Sequence, residues 1–79
     1  MPSNAEFKFE VVKTLGVVSE GKNGWKKELN LVSWSNRPPK YDIREWNDDH
    51  TRCGKGVTLG LEELRKLVSY CEEARIWDI

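Results

Sequence analysis

Apolar and polar residues alternate through the first half of the chain, and this period of two predicts β-strands. A first strand is predicted over residues 6–19, with Gly16 as a bulge or bend within it. Residues 20–24 (EGKNG) predict a turn, because glycine and asparagine tolerate the backbone angles of tight turns. The apolar parity of the first strand comprises Phe7, Phe9, Val11, Leu15 and Val17.

A second strand is predicted over residues 25–35, and both of its faces hold apolar side chains. The pattern therefore does not decide which face of this strand packs on the rest of the protein. Residues 36–39 (NRPP) form a connection, because neither proline can donate a hydrogen bond to a sheet. One face of the second strand holds Trp25, Lys27, Leu29 and Leu31, and the other holds Lys26, Val32 and Trp34.

A strand, a polar loop and another strand are predicted over residues 40–59. In the last of these, Gly54 and Gly56 flank Lys55, where the backbone must bend or be approached closely. One face of the third strand carries two cations and an indole, so we interpret it as a binding face opposite a packing face. The packing face holds Tyr41, Ile43 and Glu45, and the binding face holds Lys40, Asp42, Arg44 and Trp46.

The period changes after Leu59, where apolar residues recur at helical spacing. This pattern predicts an amphipathic helix that begins near Leu61 and ends near Ala74 or Arg75. The prediction for the whole chain is one domain over residues 1–79 with an α+β fold of order ββββα, with residues 1–5 frayed. The apolar stripe of the helix comprises Leu61, Leu64, Leu67, Val68 and Cys71, extended by Ala74.

One helix covers only part of a four-stranded sheet, so the other face is left for solvent, a ligand or a second subunit. Cations interleaved with aromatic rings on that face favour single-stranded nucleic acid, because cations neutralise phosphates and unstacked bases pack on aromatic rings. The same residues also fit an ordinary protein with a wet cationic face and tryptophans in its core. The candidate nucleic-acid contacts are Lys26, Trp34, Arg37, Lys40, Arg44, Trp46 and Lys55.

Whole-chain charge gives no support to a nucleic-acid partner, because the 79 residues carry a formal net charge of zero. The charges are distributed unevenly. Residues 22–55 hold eight Lys or Arg and five Asp or Glu, an excess of three positive charges, whereas residues 61–79 hold three and five. The positive excess therefore lies on the predicted strands and the negative excess on the C-terminal segment.

Two cysteines, Cys53 and Cys71, do not form a disulfide framework. We expect both to be reduced and the protein to lie in the cytoplasm, associated with the nucleoid. No apolar run approaches the length of a membrane span, so no membrane partner is expected. No cofactor is expected either.

Two blocks with their spacing, YDIREW at residues 41–46 and GKGVTL at 54–59, resemble the positive-cofactor-4 family of transcriptional coactivators. The blocks WKKELN at 25–30 and VSW at 32–34 are similar to its bacterial branch, and the resemblance spans residues 7–70. It implies a homodimer with a curved antiparallel sheet and a C-terminal helix. It also implies binding of single-stranded DNA with little sequence preference, at melted DNA in transcription and genome maintenance.

The resemblance assigns roles to single residues. Trp34 and Trp46 match aromatic positions that stack on bases, and Lys40, Arg44 and Lys55 match basic positions.

The helix stripe is wider than one small sheet needs, and a core of this size gains apolar burial by pairing. The expected dimer interface comprises Leu64, Leu67, Val68 and Cys71.

The sequence departs from the family pattern at three places. The connection between the second and third strands is lengthened by Arg37, Pro38 and Pro39. The family pattern therefore does not predict which contacts this loop makes. Gly60 stands where a polar helix cap is expected. Residues 76–79 (IWDI) are an apolar ending without an assigned place.

Three other functions compete with nucleic-acid binding as interpretations of these residues. The one histidine, His50, lies in a polar loop without a nucleophile pattern, so we interpret it as a solvated loop residue and not as a catalytic one. A metal site of Asp48, His50 and Cys53 lacks the fourth ligand of a structural zinc site. The strongest rival is a protein-interaction module, since Trp, Tyr and Arg also dominate protein interfaces. RNA and the transcription machinery stay open as partners.

Overall fold

The computed structural model of the chain describes residues 8–78. It contains four strands and one helix: β1 (Phe9–Glu20), β2 (Lys26–Trp34), β3 (Lys40–Trp46), β4 (Cys53–Leu59) and α1 (Leu61–Ala74). Short 3-10 turns lie at Lys22–Gly24 and Ile76–Asp78. The strands form one antiparallel sheet in the order β1-β2-β3-β4, so the predicted ββββα order is confirmed. The predictions for residues 1–5, Phe7 and Ile79 lie outside the described residues.

β1 is a long and irregular edge strand. Its register with β2 shifts at three places, and one shift, between Thr14 and Gly16, leaves Leu15 unpaired directly before the bulge or bend predicted at Gly16. Each bulge inserts an unpaired residue and increases the local twist of the strand. The sheet can therefore curl at this edge instead of lying flat.

The inner face of the sheet holds most of the buried side chains. Cross-strand pairing places Lys26 opposite Trp46 and Asn30 opposite Asp42, so the alternation predicted for β3 and for this half of β2 is confirmed. The interpretation of the two faces of β3 is wrong, because Asp42 and Trp46 on the predicted binding face are fully buried, whereas Glu45 on the predicted packing face is exposed. Val32, Trp46, Asn30 and Asp42 are completely buried. We use "inner face" for Lys26, Glu28, Asn30, Val32 and Trp34 of β2 and Lys40, Asp42, Arg44 and Trp46 of β3.

Helix α1 ends at Ala74, as the sequence predicted, because Arg75 adopts a left-handed conformation with φ 54°. At its start, the Glu63 carboxylate accepts a hydrogen bond of 2.7 Å from the Gly60 amide and supplements the weak glycine cap. None of its residues is fully buried. Leu64 and Cys71 are half-buried, whereas Leu67 and Val68 are exposed. No helix within residues 8–78 has the length and apolar character needed to cross a membrane.

Candidate nucleic-acid interface

Asp42 and Arg44 of the YDIREW block form a buried ion pair that joins β3 to β4. The Arg44 Nε donates to Asp42 Oδ1 at 2.7 Å, and the hydroxyl of Thr58 donates to Asp42 Oδ2 at 2.8 Å. Arg44 also donates to the carbonyl of Gly54 at 3.3 Å. A buried carboxylate must be paired and hydrogen-bonded, and the contacts from Arg44 and Thr58 meet that requirement for Asp42.

The charge of Arg44 is therefore neutralised by a partner inside the protein. Burial alone lowers the pKa of the Arg44 guanidinium, but hydrogen bonding and attraction from Asp42 outweigh burial and raise this pKa. Arg44 stays charged, and Asp42 compensates that charge. A phosphate at the predicted Arg44 contact would therefore compete with Asp42 for the guanidinium.

The second glycine of the GKGVTL block, Gly56, lies where β4 packs closely against β3. A Cβ atom at this position would overlap the Cβ of Arg44 and the carbonyl oxygen of Ile43 on the neighbouring strand. The predicted close backbone approach is therefore confirmed at Gly56. A Cβ at Gly54 would meet only the Cβ of Glu45, at an ordinary contact distance of 3.9 Å.

An aromatic cluster of Phe9, Trp34 and Trp46 fills the hollow of the inner face. The ring of Phe9 lies 5.8 Å from Trp34 and 5.3 Å from Trp46, and the two indoles lie 6.4 Å apart, measured between centroids. The imidazole of His50 covers Trp46 at 5.5 Å. These rings leave Trp46 with 0% exposure.

The predicted role of Trp46 as an exposed base platform is therefore wrong for this structure. Its face was predicted correctly, but the curvature of the sheet turns that face inward at the end of β3. Phe9 and Trp34 from the opposite end of the hollow then pack on the indole. Trp46 is a core residue.

A small cleft lies beside the half-exposed Trp34, where β2 runs into the connection to β3. It has a volume of about 160 Å³ and is lined by Trp34, Arg37, Pro38, Lys40 and Thr58. Three of the predicted contacts, Trp34, Arg37 and Lys40, thus lie together. Arg44 lies beneath them, with its guanidinium carbon 4.7 Å from the centroid of the Trp34 ring. We call this site the Trp34 cleft.

Lys26 and Lys55 do not line the Trp34 cleft. Lys26 lies at the other end of β2, opposite Trp46, and its charge acts on Glu28. Lys55 is exposed on β4, at the register shift between the pairs Arg44–Gly56 and Trp46–Cys53. The seven predicted contacts therefore divide into three at the cleft, one beneath it, one in the core and two elsewhere.

A polar pair on the inner face escaped the sequence analysis. The His50 Nε2 lies 2.7 Å from Glu28 Oε1, which also accepts a hydrogen bond of 3.0 Å from Asn30. Burial alone raises the pKa of Glu28, but the bonds from His50 and Asn30 outweigh burial and lower this pKa. The interpretation of His50 as a solvated loop residue is therefore wrong. The missed signal was a glutamate at a core-facing position of β2, which requires a polar partner.

Comparisons with known proteins show which family the chain belongs to. Residues 22–70 match the family described as Transcriptional Coactivator p15 (PC4). The chain is also 48% identical over 61 residues to an uncharacterized protein of Treponema pallidum (strain Nichols), across 77% of this chain and 72% of that protein. The family match contains β2, β3, β4 and most of α1, and therefore the whole Trp34 cleft. The chain belongs to the Transcriptional Coactivator p15 (PC4) family.

Proposed function

We propose that this protein binds single-stranded nucleic acid, with DNA as the main partner and with little sequence specificity. Membership of the PC4 family indicates single-stranded DNA binding. The observation that carries the proposal is the Trp34 cleft, which a half-exposed indole lines together with two exposed cations, Arg37 and Lys40. A splayed base can pack on such a ring while the cations neutralise its phosphates, and a duplex does not offer a splayed base.

The charges at the cleft support this proposal. Within residues 8–78, neither Arg37 nor Lys40 has a carboxylate within ion-pair distance. Arg44, in contrast, is paired with Asp42. We therefore assign the main phosphate contacts to Arg37 and Lys40. Lys26 and Lys55 would contact a strand that extends beyond the cleft.

The functional unit that we propose is a homodimer joined through α1. Leu64 and Cys71, at the centre of the apolar stripe, are half-buried in one copy. On either side of them, large apolar side chains stay exposed. The exposed fractions are 48% for Leu61 and Val68 on one side and 47% and 62% for Leu67 and Tyr70 on the other. A second copy could bury both sides of the stripe.

The biological role that we propose is action at melted DNA, as a cofactor of transcription or in DNA maintenance, in the cytoplasm where the nucleoid lies. The proposal requires no catalysis and no cofactor. RNA and the transcription machinery remain open as further partners. The rival function, a protein-interaction module, has one observation in its favour, because Tyr70 and Trp77 are among the most exposed apolar side chains.

The salt dependence of binding separates the two functions. We expect the affinity for a fluorescent oligothymidine to fall with salt, with a logarithmic slope of about −0.7 for each phosphate neutralised. Lys40→Ala should make this slope shallower by about one phosphate, or roughly 0.7. Lys66→Ala, an exposed lysine on α1, is the matched control and should leave the slope unchanged. A slope of zero for the wild-type protein would favour the protein-interaction module.

A further inference from the structure

Strand β1 exposes an apolar edge of the sheet. It is the first strand in the sheet order, and within residues 8–78 only β2 pairs with it, so its other side is a free edge. All residues from 12 to 20 are exposed, although four of them have large apolar side chains. A free edge presents unpaired backbone N–H and C=O groups, and an apolar one is a site at which a further strand can pair. The exposed fractions are 48% for Val12, 42% for Leu15, 51% for Val17 and 59% for Val18.

The irregular shape of β1 restricts which strand can pair with its edge. Val12, Leu15 and Val18 lack partners on β2, because the register shifts at these three places. Bulges increase the twist of a strand, and natural proteins use them to keep foreign strands away from an edge. A strand with the same twist meets no such obstacle, and a second β1 has the same twist. A second copy of the chain therefore fits this edge better than an ordinary strand does.

The apolar residues of β1 are arranged so that two copies of the strand match. If the copies pair antiparallel about a two-fold axis between Gly16 and Val17, Leu15 of each copy lies opposite Val18 of the other. The symmetry makes this apolar pair occur twice. Facing apolar side chains stabilise a pair of strands, and both residues are exposed in one copy, so pairing would bury apolar surface.

The charges of β1 match in the same register. Lys13 of each copy lies opposite Glu20 of the other, and both side chains are exposed and without an ion pair within residues 8–78. Opposite charges on facing strands are favourable, whereas like charges are unfavourable. An axis through Leu15 would instead place Glu10 opposite Glu20, so charge favours the first register.

We propose that β1 is a self-association surface, at which two copies of the chain pair antiparallel in this register. The surface is distinct from the helix stripe, because α1 packs against β3 in the interior of the sheet, whereas β1 forms its edge. Two edge strands form a small contact compared with the roughly 1,200–2,000 Å² of a stable interface, so we expect weak pairing in free solution. Copies bound side by side on one nucleic-acid strand are held at a high effective concentration, and β1 pairing then makes binding cooperative. This consequence rests on the proposed function, whereas the pairing itself does not.

The first test is sedimentation from micromolar to near-millimolar protein without nucleic acid. We expect the wild type to form larger species as its concentration rises. Lys13→Glu and Glu20→Lys should each weaken this association about tenfold or more, because two opposite-charge pairs become like-charge pairs. The double variant Lys13→Glu/Glu20→Lys should regain association, because it restores opposite charges. Lys27→Glu, which reverses an exposed charge on β2, is the matched control and should associate as the wild type does.

The inference would be overturned by wild-type protein that shows no larger species at any concentration, which would leave the edge to a strand of another protein. Single variants that associate as the wild type does would overturn it too, because β1 would then not pair in this register. A double variant that is folded by circular dichroism but does not regain association would have the same meaning.

The second test compares binding to a short oligothymidine, which holds one copy of the functional unit, with binding to a long one that holds several. We expect the wild type to give a sigmoidal isotherm on the long strand and a simple isotherm on the short one. Lys13→Glu and Glu20→Lys change the net charge in opposite directions, so a loss of cooperativity in both variants would come from β1 and not from overall charge. Non-cooperative binding of the wild type to the long strand would overturn the cooperative role. If no single strand binds while self-association persists in the first test, the proposed function fails and β1 pairing stands.

Discussion

The indole rings of Trp34 and Trp46 stack with their centroids 6.4 Å apart and their planes 19° from parallel. The cross-strand partner of Trp46 is Lys26, which lies eight positions from Trp34 along β2. In a straight strand, eight positions span roughly 26 Å. The stacking therefore requires a sheet curved so strongly that the two ends of the hollow meet. This curvature places Trp46 in the core and leaves Trp34 at the rim, beside the cleft.

The burial of Trp46 predicts that its removal affects stability first. Trp46→Ala should lower the free energy of unfolding by about 3–5 kcal/mol, because it leaves a large cavity among Phe9, Trp34 and His50. Urea denaturation followed by circular dichroism measures this loss. Trp46→Phe, which retains an aromatic ring, should lose less. A Trp46→Ala variant that is as stable as the wild type but binds oligonucleotide poorly would return Trp46 to the binding surface.

A methyl group at Gly56 should destabilise the sheet, because it would overlap the Arg44 side chain and the backbone of β3. We expect Gly56→Ala to lower the free energy of unfolding by about 1–3 kcal/mol, the usual cost of overpacking. Gly54→Ala is the matched control, since its methyl group would make only an ordinary contact with Glu45. Equal denaturation midpoints for the two variants would contradict the close approach at Gly56.

The His50–Glu28 pair predicts a loss of stability in acid. The folded-state pKa of Glu28 is lowered, so its ionised carboxylate contributes stability above the unfolded-state pKa of about 4.3. This contribution should disappear as the pH falls from about 5 through the lowered folded-state pKa of Glu28. Denaturation of the wild type and of Glu28→Gln across this range measures it. The Gln variant should show a weaker decline in acid, and parallel curves for both proteins would rule out this role.

The exposed sides of the helix stripe predict a dimer. Wild-type protein at micromolar concentration should sediment as a homodimer, and Leu67→Asp should shift it toward the monomer, because the carboxylate would be buried in the interface. Lys66→Ala, at the neighbouring position, should remain dimeric. Wild-type protein that sediments as a compact monomer and still binds oligonucleotide tightly would refute the dimer while leaving the Trp34 cleft in place.

The sequence predicted those parts of the fold that depend on local periodicity. Alternation in β3 placed Asp42, Arg44 and Trp46 on one face, and the stripe from Leu61 to Cys71 placed the helix, because both patterns follow from backbone geometry. Gly16 marked one irregularity of β1 to within one residue, since Leu15 is unpaired, but nothing in the pattern predicted the other two register shifts. Periodicity contains no information on how far a sheet curls.

The burial and the side-chain partners that the sequence did not predict depend on this curvature and on contacts between distant segments. The burial of Trp46 requires Phe9, which lies on an edge strand far away in the sequence. The partner of His50 is Glu28, 22 positions away. Alternation placed Arg44 on the same face as Asp42 and Trp46, but it could not reveal that Asp42 would take up the charge of Arg44. The grouping of Trp34, Arg37 and Lys40 likewise depends on the fold of the proline-rich connection.

The measurement that tests the central claim most directly is the affinity for a single strand and for its duplex at the same salt concentration. It should be made by fluorescence anisotropy with the wild type, with an Arg37→Ala/Lys40→Ala double variant and with Lys66→Ala. We predict that the wild type and Lys66→Ala bind the single strand more tightly than the duplex, and that the double variant loses most of its affinity for the single strand while remaining folded. Equal affinity of the wild type for both forms, or a double variant that binds the single strand as the wild type does, would contradict single-strand binding at the Trp34 cleft.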